Sequence, residues 1–464
     1  MSSSEIVESG NFSLPCPDVY IKVFTLTILY PTMLGSLPYL GPAFDLSFER
    51  IKTVYPNLHF QQTMIADSTY RDCTDWGADS VNHTAPHLFR EIYDVHRNAC
   101  MATMLIFPGC DDMVQILPVL TELNLLMITS VATLPILRNK ILTPTWIGMT
   151  ANSFYIYIRL FDNLCALFNW HTLGFLVDKS FDTGMAIFGV QLSKIFSRVG
   201  FQPYLELYNS KEGVDRVAIL NRLNAKARIY FFFGESGEFR QILKTAAGLN
   251  MTMGEHVYVI GTPFRLSTAP GYLSWNKGDA DDAIVRQAYR SVLIVEADES
   301  VYGKTKSSGT FSQEIINRSR LDYNYTYRPF QPISPHPAAT YASMMIIAQV
   351  MEELRISGNV EIWSSGRKLA KRLMNRTFST DVGDIYIDPV GERNPQACVN
   401  QLTWNTSEIR TLLVQTVPDF VLRWSNQTAV EWPGPWPPPN EPRCGFRGDN
   451  PKCSTGMERV IRIY

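Results

Sequence analysis

The chemistry legible from residue type and spacing in this 464-residue chain lies in its cysteines and its asparagines. Eight N-x-S/T sequons occur, at Asn11, Asn82, Asn250, Asn317, Asn324, Asn375, Asn405 and Asn426. About three would arise by chance among 24 asparagines, so the excess points to N-glycosylation and an oxidising, secretory setting in which disulfides persist. The eight cysteines are too sparse for a disulfide scaffold, and no C-x-x-C pair suggests zinc. Cys444 and Cys453 stand nine apart, a short loop that one bridge can close. That loop follows Trp436-Pro-Pro-Pro, a run that has no backbone N–H to give to a helix or inner strand and reads as a stiff, extended stalk.

Other clusters carry less. His83 and His87 are four apart, but Pro86 between them argues against a helix that would bring them together, so no metal site is expected. GESGEF, from Gly234, lacks phosphate-loop spacing and reads as a strand-to-helix turn. Asp111-Asp112 and Asp281-Asp282 read as solvated caps. No H-E-x-x-H, G-x-S-x-G or kinase signature occurs, so no catalytic residue is assigned, and no cofactor is expected. With 42 basic against 44 acidic residues, the charge balance excludes a nucleic-acid partner or a polybasic membrane surface.

The elements that must position these residues alternate strand and helix. VYIKVFTLTIL, NLHFQQTMIA, CMATMLIF and LLMITSVAT read as strands, separated by helices in GPAFDLSFERIKTVYP, PHLFREIYDVHRN and MVQILPVLTELN. The rhythm restarts at SFYIYIRLFDNLCALFNW and runs through strands TLGFLVDK, QPYLELYN, RIYFFFG and HVYVIG, with helices between. Two α/β blocks with parallel sheets in series imply two lobes. Residues 265–332 look less regular, with DDAIVRQAYRSV as their one helix signal. AATYASMMIIAQVMEELRIS and RKLAKRLMNRTF read as helices and GDIYID as a strand. The apolar stretch from Val19 is broken by Lys22, Pro31, Gly35 and Pro38 and reads as a buried strand and a turn-rich loop rather than a membrane helix. No signal peptide is visible at the N-terminus.

Four segments resemble one family. ARIYFFFGESGEFRQILKTAAGLNMTMGEHVYVI, RKLAKRLMNRTF with GDIYIDPVGER, GPAFDLSFERI, and above all WPGPWPPPNEPRCGFRGDNPKC are similar to the extracellular ligand-binding region of receptor-type guanylyl cyclases, nematode members and natriuretic peptide receptors included. The likeness runs from about residue 20 to 455. It implies a type I periplasmic-binding-protein-like fold of two doubly wound parallel-sheet lobes joined by a three-strand hinge. Lobe I would hold 19–150 and 268–365, lobe II 151–267 and 366–435, and the juxtamembrane stalk 436–464. It implies a disulfide between Cys73 and Cys110, with Cys100 a rival partner for Cys73, and the juxtamembrane bridge Cys444–Cys453. Cys16, Cys165 and Cys398 remain, and Cys165–Cys398 is either a bridge within lobe II or a pair of buried thiols.

The family's chloride, held by a Ser hydroxyl and a Gly-Cys turn, would fall at Ser68, Gly109 and Cys110, where turn N–H groups form an anion nest. Ser130 and Thr133 stand where related receptors hold a ligand carboxylate at the carboxyl ends of parallel strands; an ordinary helix N-cap is the competing role. Phe107 stands where the family has Gly, and the loop from Ser68 to Cys73 is about two residues short.

The function this implies is the binding of an extracellular peptide or small-molecule ligand in transmembrane, cGMP-linked signalling, on the outer face of the plasma membrane and as a homodimer. The sequence stops eleven residues after Cys453, before any transmembrane, kinase-like or cyclase segment, so the membrane is expected only through a missing helix. A secreted decoy or a soluble binding protein of the same fold is the alternative.

Overall fold

In the computed structural model the described residues are 15–31, 35–71, 73–93, 99–107, 115–131, 135–150, 153–180, 183–262, 275–297, 306–327, 333–406, 408–425, 430–450 and 453. The chain divides into two compact units. Unit 1 is 1–151 with 300–394, and unit 2 is 152–299 with 395–464.

Unit 1 begins with β1 (Val19–Leu26), α1 (Leu37–Val54), β2 (Leu58–Ile65), α2 (Cys73–Tyr93), β3 (Met101–Phe107), α3 (Leu117–Glu122), β4 (Leu126–Thr129) and β5 (Trp146–Gly148). Its five strands are all parallel, in the order β2-β1-β3-β4-β5. Alternate residues of one strand feed opposite cores, as the period of two requires. Val19, Ile21 and Val23 of β1 join Leu40, Phe44 and Ile51 of α1, while Phe24 and Leu26 join Leu88 of α2 and Leu117 and Leu120 of α3. α1 starts earlier than the sequence pattern suggests. Pro38 takes the first-turn position, where no N–H is needed, and Pro42 lies inside the helix. α2 likewise runs through Pro86, so His83 and His87 share one helix after all; His83 pairs with Asp67 (3.7 Å).

Unit 2 takes up the chain with α4 (Phe154–Phe168), β6 (Thr172–Asp178), α5 (Thr183–Arg198), β7 (Gln202–Tyr208), α6 (Arg216–Asn224), β8 (Ile229–Phe233), α7 (Ser236–Gly248), β9 (Val257–Thr262), α8 (Asp282–Ala288) and β10 (Val292–Ala297). Its parallel strands run β7-β6-β8-β9-β10, the same 2-1-3-4-5 order as unit 1. Phe175, Phe231 and Phe233 face α4 and α5, and Tyr230, Phe232 and Tyr258 face α6, α7 and α8. GESGEF is the turn from β8 into α7, with Glu235 at the N-cap.

The chain returns to unit 1 with α9 (Lys306–Asp322), α10 (His336–Ile356), α11 (Val360–Trp363), α12 (Gly366–Leu373) and an antiparallel sheet of β11 (Arg376–Thr380), β12 (Gly383–Ile387) and β13 (Arg393–Asn394). α10 is buried on nearly every side and packs against α1. The chain then re-enters unit 2 as β14 (Ala397–Leu402), β15 (Ile409–Gln415) and β16 (Leu422–Trp424), which extend that sheet antiparallel beyond β10.

The lobe boundaries expected at 267/268 and 365/366 are therefore corrected to 299/300 and 394/395. β10 is an inner strand of the unit 2 sheet, so residues up to 297 belong there; α12 and the β11–β13 sheet pack on the unit 1 core through Leu369, Leu373, Phe378 and Ile385. Among the described residues, no helix is long and apolar enough to cross a membrane.

Gly366 marks a close crossing in unit 1. Its N–H donates to the carbonyl of Asn124 (2.7 Å), and a Cβ there would lie 2.4 Å from the backbone of Leu125 and Leu126. Backbone cannot yield as a side-chain tip can. Gly366→Ala is expected to destabilise unit 1 by roughly 1–3 kcal/mol, read as a lowered midpoint in urea unfolding. An unchanged midpoint would show that the crossing relaxes without cost.

Candidate functional site

In open α/β sheets, ligands meet the carboxyl ends of the strands. In unit 1, β4 ends at Thr129, and Ser130 follows, buried. Its hydroxyl bonds the Thr340 hydroxyl of α10 (2.8 Å), and its carbonyl accepts from His336 Nδ1 (3.2 Å). Through these bonds Ser130 ties the strand end to α10. Thr133 lies outside the described residues. Burial holds the His336 imidazole down at about 4, only partly opposed by the Ser130 carbonyl.

In unit 2 the end of β6 is Asp178, which is 1% exposed. One oxygen accepts from the backbone and hydroxyl of Ser180 (3.0 and 2.7 Å) and from Ser210 N (3.1 Å), and the other from the Ser210 hydroxyl (2.6 Å). Burial pushes this carboxyl up, but the bonds from Ser210 and Ser180 outweigh it and hold it below the usual range. Next to it Arg216 clamps Glu238 through two bonds (3.0 and 2.6 Å). These groups fix the loops after β6 and β7 before any ligand arrives.

The described part of the expected stalk, residues 436–450, does not stand free of the fold. Residues 430–450 lie along unit 2. Trp432 is buried and donates Nε1–H to the Gly254 carbonyl (2.9 Å). Gly254, at φ +107°, meets Gly434 so closely that a Cβ would lie 2.5 Å from the Gly434 nitrogen. Trp436 packs on Trp432 and Phe168 (centroids 4.8 and 5.0 Å). The fully buried Trp170 donates Nε1–H to the Pro438 carbonyl (2.9 Å). Asn440 Oδ1 accepts the backbone N–H groups of His171 and Thr172 (2.6 and 2.8 Å) at the start of β6. Proline without N–H still offers its carbonyl: Pro438 accepts from Trp170, while the arm's own Trp432 donates to the Gly254 carbonyl.

Beyond Asn440, Cys444 is joined to Cys453. Phe446 within that loop lies under the Arg228 guanidinium (5.2 Å). Arg228 also bonds Asn224 Oδ1 (2.7 Å), which contacts His256 Nε2 (2.8 Å). Burial first, and the Arg228 charge second, hold the His256 imidazole down at about 3.

The remaining cysteines depart from expectation. Cys16 is bonded to Cys100, which removes Cys100 as a partner for Cys73. This bridge pins the segment before β1 to the start of β3 and encloses a sequence separation of 84, worth roughly 4–5 kcal/mol in the loop-entropy account. Nothing in residue spacing marked Cys16, since the polar N-terminus hid its place beside β1. Cys165 and Cys398 are both buried and are not bridged; burial raises the Cys165 thiol. Cys73 opens α2, while Cys110, Gly109 and Asp111-Asp112 lie outside the described residues, and with them the expected bridge and chloride nest. Ser68 is exposed in a turn after β2. Asp282 is no solvated cap: it accepts from the buried Arg240 (2.9 Å).

Asn82, Asn250, Asn324, Asn375 and Asn405 are exposed and Asn317 is half-buried; Asn11 and Asn426 lie outside the described residues. Asn250, Asn324 and Asn375 adopt left-handed φ of 58°, 51° and 53°, a conformation asparagine tolerates. Among the described residues, no group of three or more His, Cys, Asp or Glu could hold a metal ion.

Two outcomes follow. Trp432→Ala should cost unit 2 about 3–5 kcal/mol, and Asn440→Ala about 1–3 kcal/mol by leaving two N–H groups without their acceptor. Urea unfolding followed by tryptophan fluorescence and circular dichroism checks both; wild-type midpoints would mean a loosely attached arm. Second, His256 and His336 have folded values below the ordinary 6.5. Their stabilisation is complete above pH 6.5 and is lost as pH falls towards 4 and 3, because the unfolded chain binds the proton first. Lowering pH from 7 to 5 should remove about 2 kcal/mol per histidine, and His256→Gln should flatten that slope. A pH-independent midpoint between 7 and 5 would contradict this.

The chain matches the receptor family ligand binding region over residues 41–405. It is 21% identical over 304 residues to atrial natriuretic peptide receptor 2 of Anguilla japonica, covering 64% of this chain and 28% of that receptor. To atrial natriuretic peptide receptor 3 it is 21% identical over 200 residues in Homo sapiens, covering 43% of this chain and 35% of the receptor. In Bos taurus the same receptor is 24% identical over 204 residues, covering 43% and 36%. The chain thus spans about a third or less of the length of these relatives. Among solved structures, a leucine-binding protein from Thermotoga maritima superposes with a TM-score of 0.49 at 14% identity, over 85% of this chain and 98% of that one. With two α/β units of matching strand order and a family match over most of its length, the chain belongs to the receptor family ligand binding region.

Proposed function

We propose that this chain is the ligand-binding extracellular region of a receptor guanylyl cyclase, taking a peptide or small-molecule ligand and acting through cGMP. The observation that carries this reading is the arm from Trp432 to Asn440, held on unit 2 and ending in the Cys444–Cys453 loop. An arm fixed to unit 2 at Gly254, Phe168, Trp170 and the His171–Thr172 backbone moves with that unit. It gives a downstream membrane segment a defined starting position. The exposed sequons and the bridges Cys16–Cys100 and Cys444–Cys453 support maturation in the secretory pathway and a place outside the cell. A homodimer and a chloride near Ser68, Gly109 and Cys110 belong to the same reading by resemblance.

Two measurements test it. Sequencing the transcript from both ends should show a frame running on into about 20 apolar residues and a cyclase domain; a stop codon after Tyr464 would sink the receptor reading in favour of a secreted binding protein. In the full receptor, a flexible Gly-Ser insertion between Asn440 and Cys444, which keeps the contacts of Trp432–Asn440 with unit 2, should leave ligand binding in place and reduce ligand-stimulated cGMP formation, whereas unchanged output would show that the arm transmits nothing. Expressed behind a heterologous leader in animal cells, the protein should also lose apparent mass on removal of N-glycans, and no shift would speak against the sequons being used.

A further inference from the structure

The helix α12 carries charge against its own stability. Gly366, Leu369, Ala370 and Leu373 face the unit 1 core, and the other four residues, Arg367, Lys368, Lys371 and Arg372, are all exposed. Spacings of four set Arg367 beside Lys371 and Lys368 beside Arg372, in two adjoining rows. The four cations span roughly 7.5 Å of helix axis. Lys371 and Arg372 in the last turn suit the negative end of the helix dipole, but Arg367 and Lys368 stand in the first turn, at its positive end. Both rows also place like charges four apart, which weakens a helix.

Ion pairing within the fold does not account for these residues either. Among the described residues, Lys371 has no ion-pair partner. Arg367 gives Nη2 to the Thr121 carbonyl (3.3 Å) and meets no carboxylate. Lys368 lies 3.3 Å from Glu361, which is 86% exposed. Arg372 reaches Glu353 at only 3.5 Å, and Glu353 is bound more closely by Arg376 (2.9 and 3.1 Å). Exposed pairs of this kind hold little, so an incoming anion can displace them.

We propose that the exposed face of α12 binds a sulfated polysaccharide of the glycosaminoglycan type. Short clusters of Lys and Arg are the footprint of such polyanions. The two guanidinium forks match pairs of sulfate oxygens, and the two ammonium groups add compact charge. A linear sulfated chain offers successive anionic groups to both rows at once. The same face holds no apolar side chain to enter a bilayer and no aromatic ring to stack on a base. A place outside the cell, as in the receptor reading, would bring this face to such chains; the binding itself stands on α12 alone.

Isothermal titration of the full chain tests this with a heparin octasaccharide, a hyaluronan octasaccharide and phosphatidylserine vesicles. N-glycans are removed first, so that none at Asn375 covers the end of the helix. At about 0.15 M salt the heparin fragment should bind saturably. Hyaluronan, which carries carboxylates but no sulfate, should bind at least about tenfold more weakly, and the vesicles should not bind. The double variant Lys368→Gln/Lys371→Gln should weaken heparin by about tenfold or more. Lys194→Gln, at an exposed lysine of α5 in unit 2, should bind as the wild type does, and thermal unfolding confirms that each variant is folded. No saturable heparin binding, equal binding of hyaluronan, vesicles bound as tightly as heparin, wild-type affinity in the folded double variant, or an equal loss in Lys194→Gln would overturn the proposal. None of these outcomes bears on the receptor reading, which rests on unit 2.

Discussion

A parallel sheet must be covered on both faces, and most features of this chain follow from that constraint. Every residue of β4, β6, β8 and β10 is buried. Such strands can exist only between two layers of helix, and the helices arrive in the crossovers that parallel pairing demands. The same order, 2-1-3-4-5, appears in both units because each solves that problem with five strands. Where the two solutions differ, later segments supply the cover. In unit 1 it is α10, buried on nearly all sides, that closes one face over β1, β3 and β4. In unit 2 the antiparallel strands β14–β16 carry the sheet past β10.

The C-terminal arm extends this logic beyond regular structure. A proline-rich segment cannot join a sheet through N–H groups, so the fold attaches it by donors from the other side. Trp170 gives its indole N–H to Pro438, and the main chain of His171 and Thr172 gives two to Asn440. Trp432, Trp436 and Phe168 then cover the join with aromatic area. The arm is therefore specified by tertiary partners some 270 residues earlier in the chain.

The strand and helix rhythm was legible wherever an apolar run had clear ends, as in TLGFLVD or IYFFF, and the number of units followed from the rhythm restarting. What stayed hidden had local causes. β10, VLIVEA, is as apolar as its neighbours, but it sits between a short helix and a polar stretch, and so read as part of an irregular region. α9 is polar around a sparse buried row at Ile315 and Ser319, with one sequon at Asn317. The stiffness of the proline run was readable, whereas its attachment was not, because its donors, Trp170 and the backbone of His171 and Thr172, lie elsewhere in sequence. Ser130 was singled out for its place at a strand end, and that placement is right. Its partners Thr340 and His336 come from a helix more than 200 residues on, which strand periodicity cannot foresee.

The interleaving of the two units bears on how the molecule is made. Unit 1 cannot close its larger core with its first segment alone, since α10, α12 and the β11–β13 sheet come only after residue 300. A ribosome adding roughly 5–20 residues per second delivers all of unit 2's parallel strands in the interval. Val19, Ile21, Met104 and Ile128 must meanwhile wait with that face of their sheet covered by α1 but not yet by α10. The nascent chain thus presents a half-clad parallel sheet for much of its synthesis, a natural substrate for chaperones. The bond between Cys16 and Cys100 joins two residues that have both emerged by then, so oxidation can hold β1 beside β3 until the missing helices arrive.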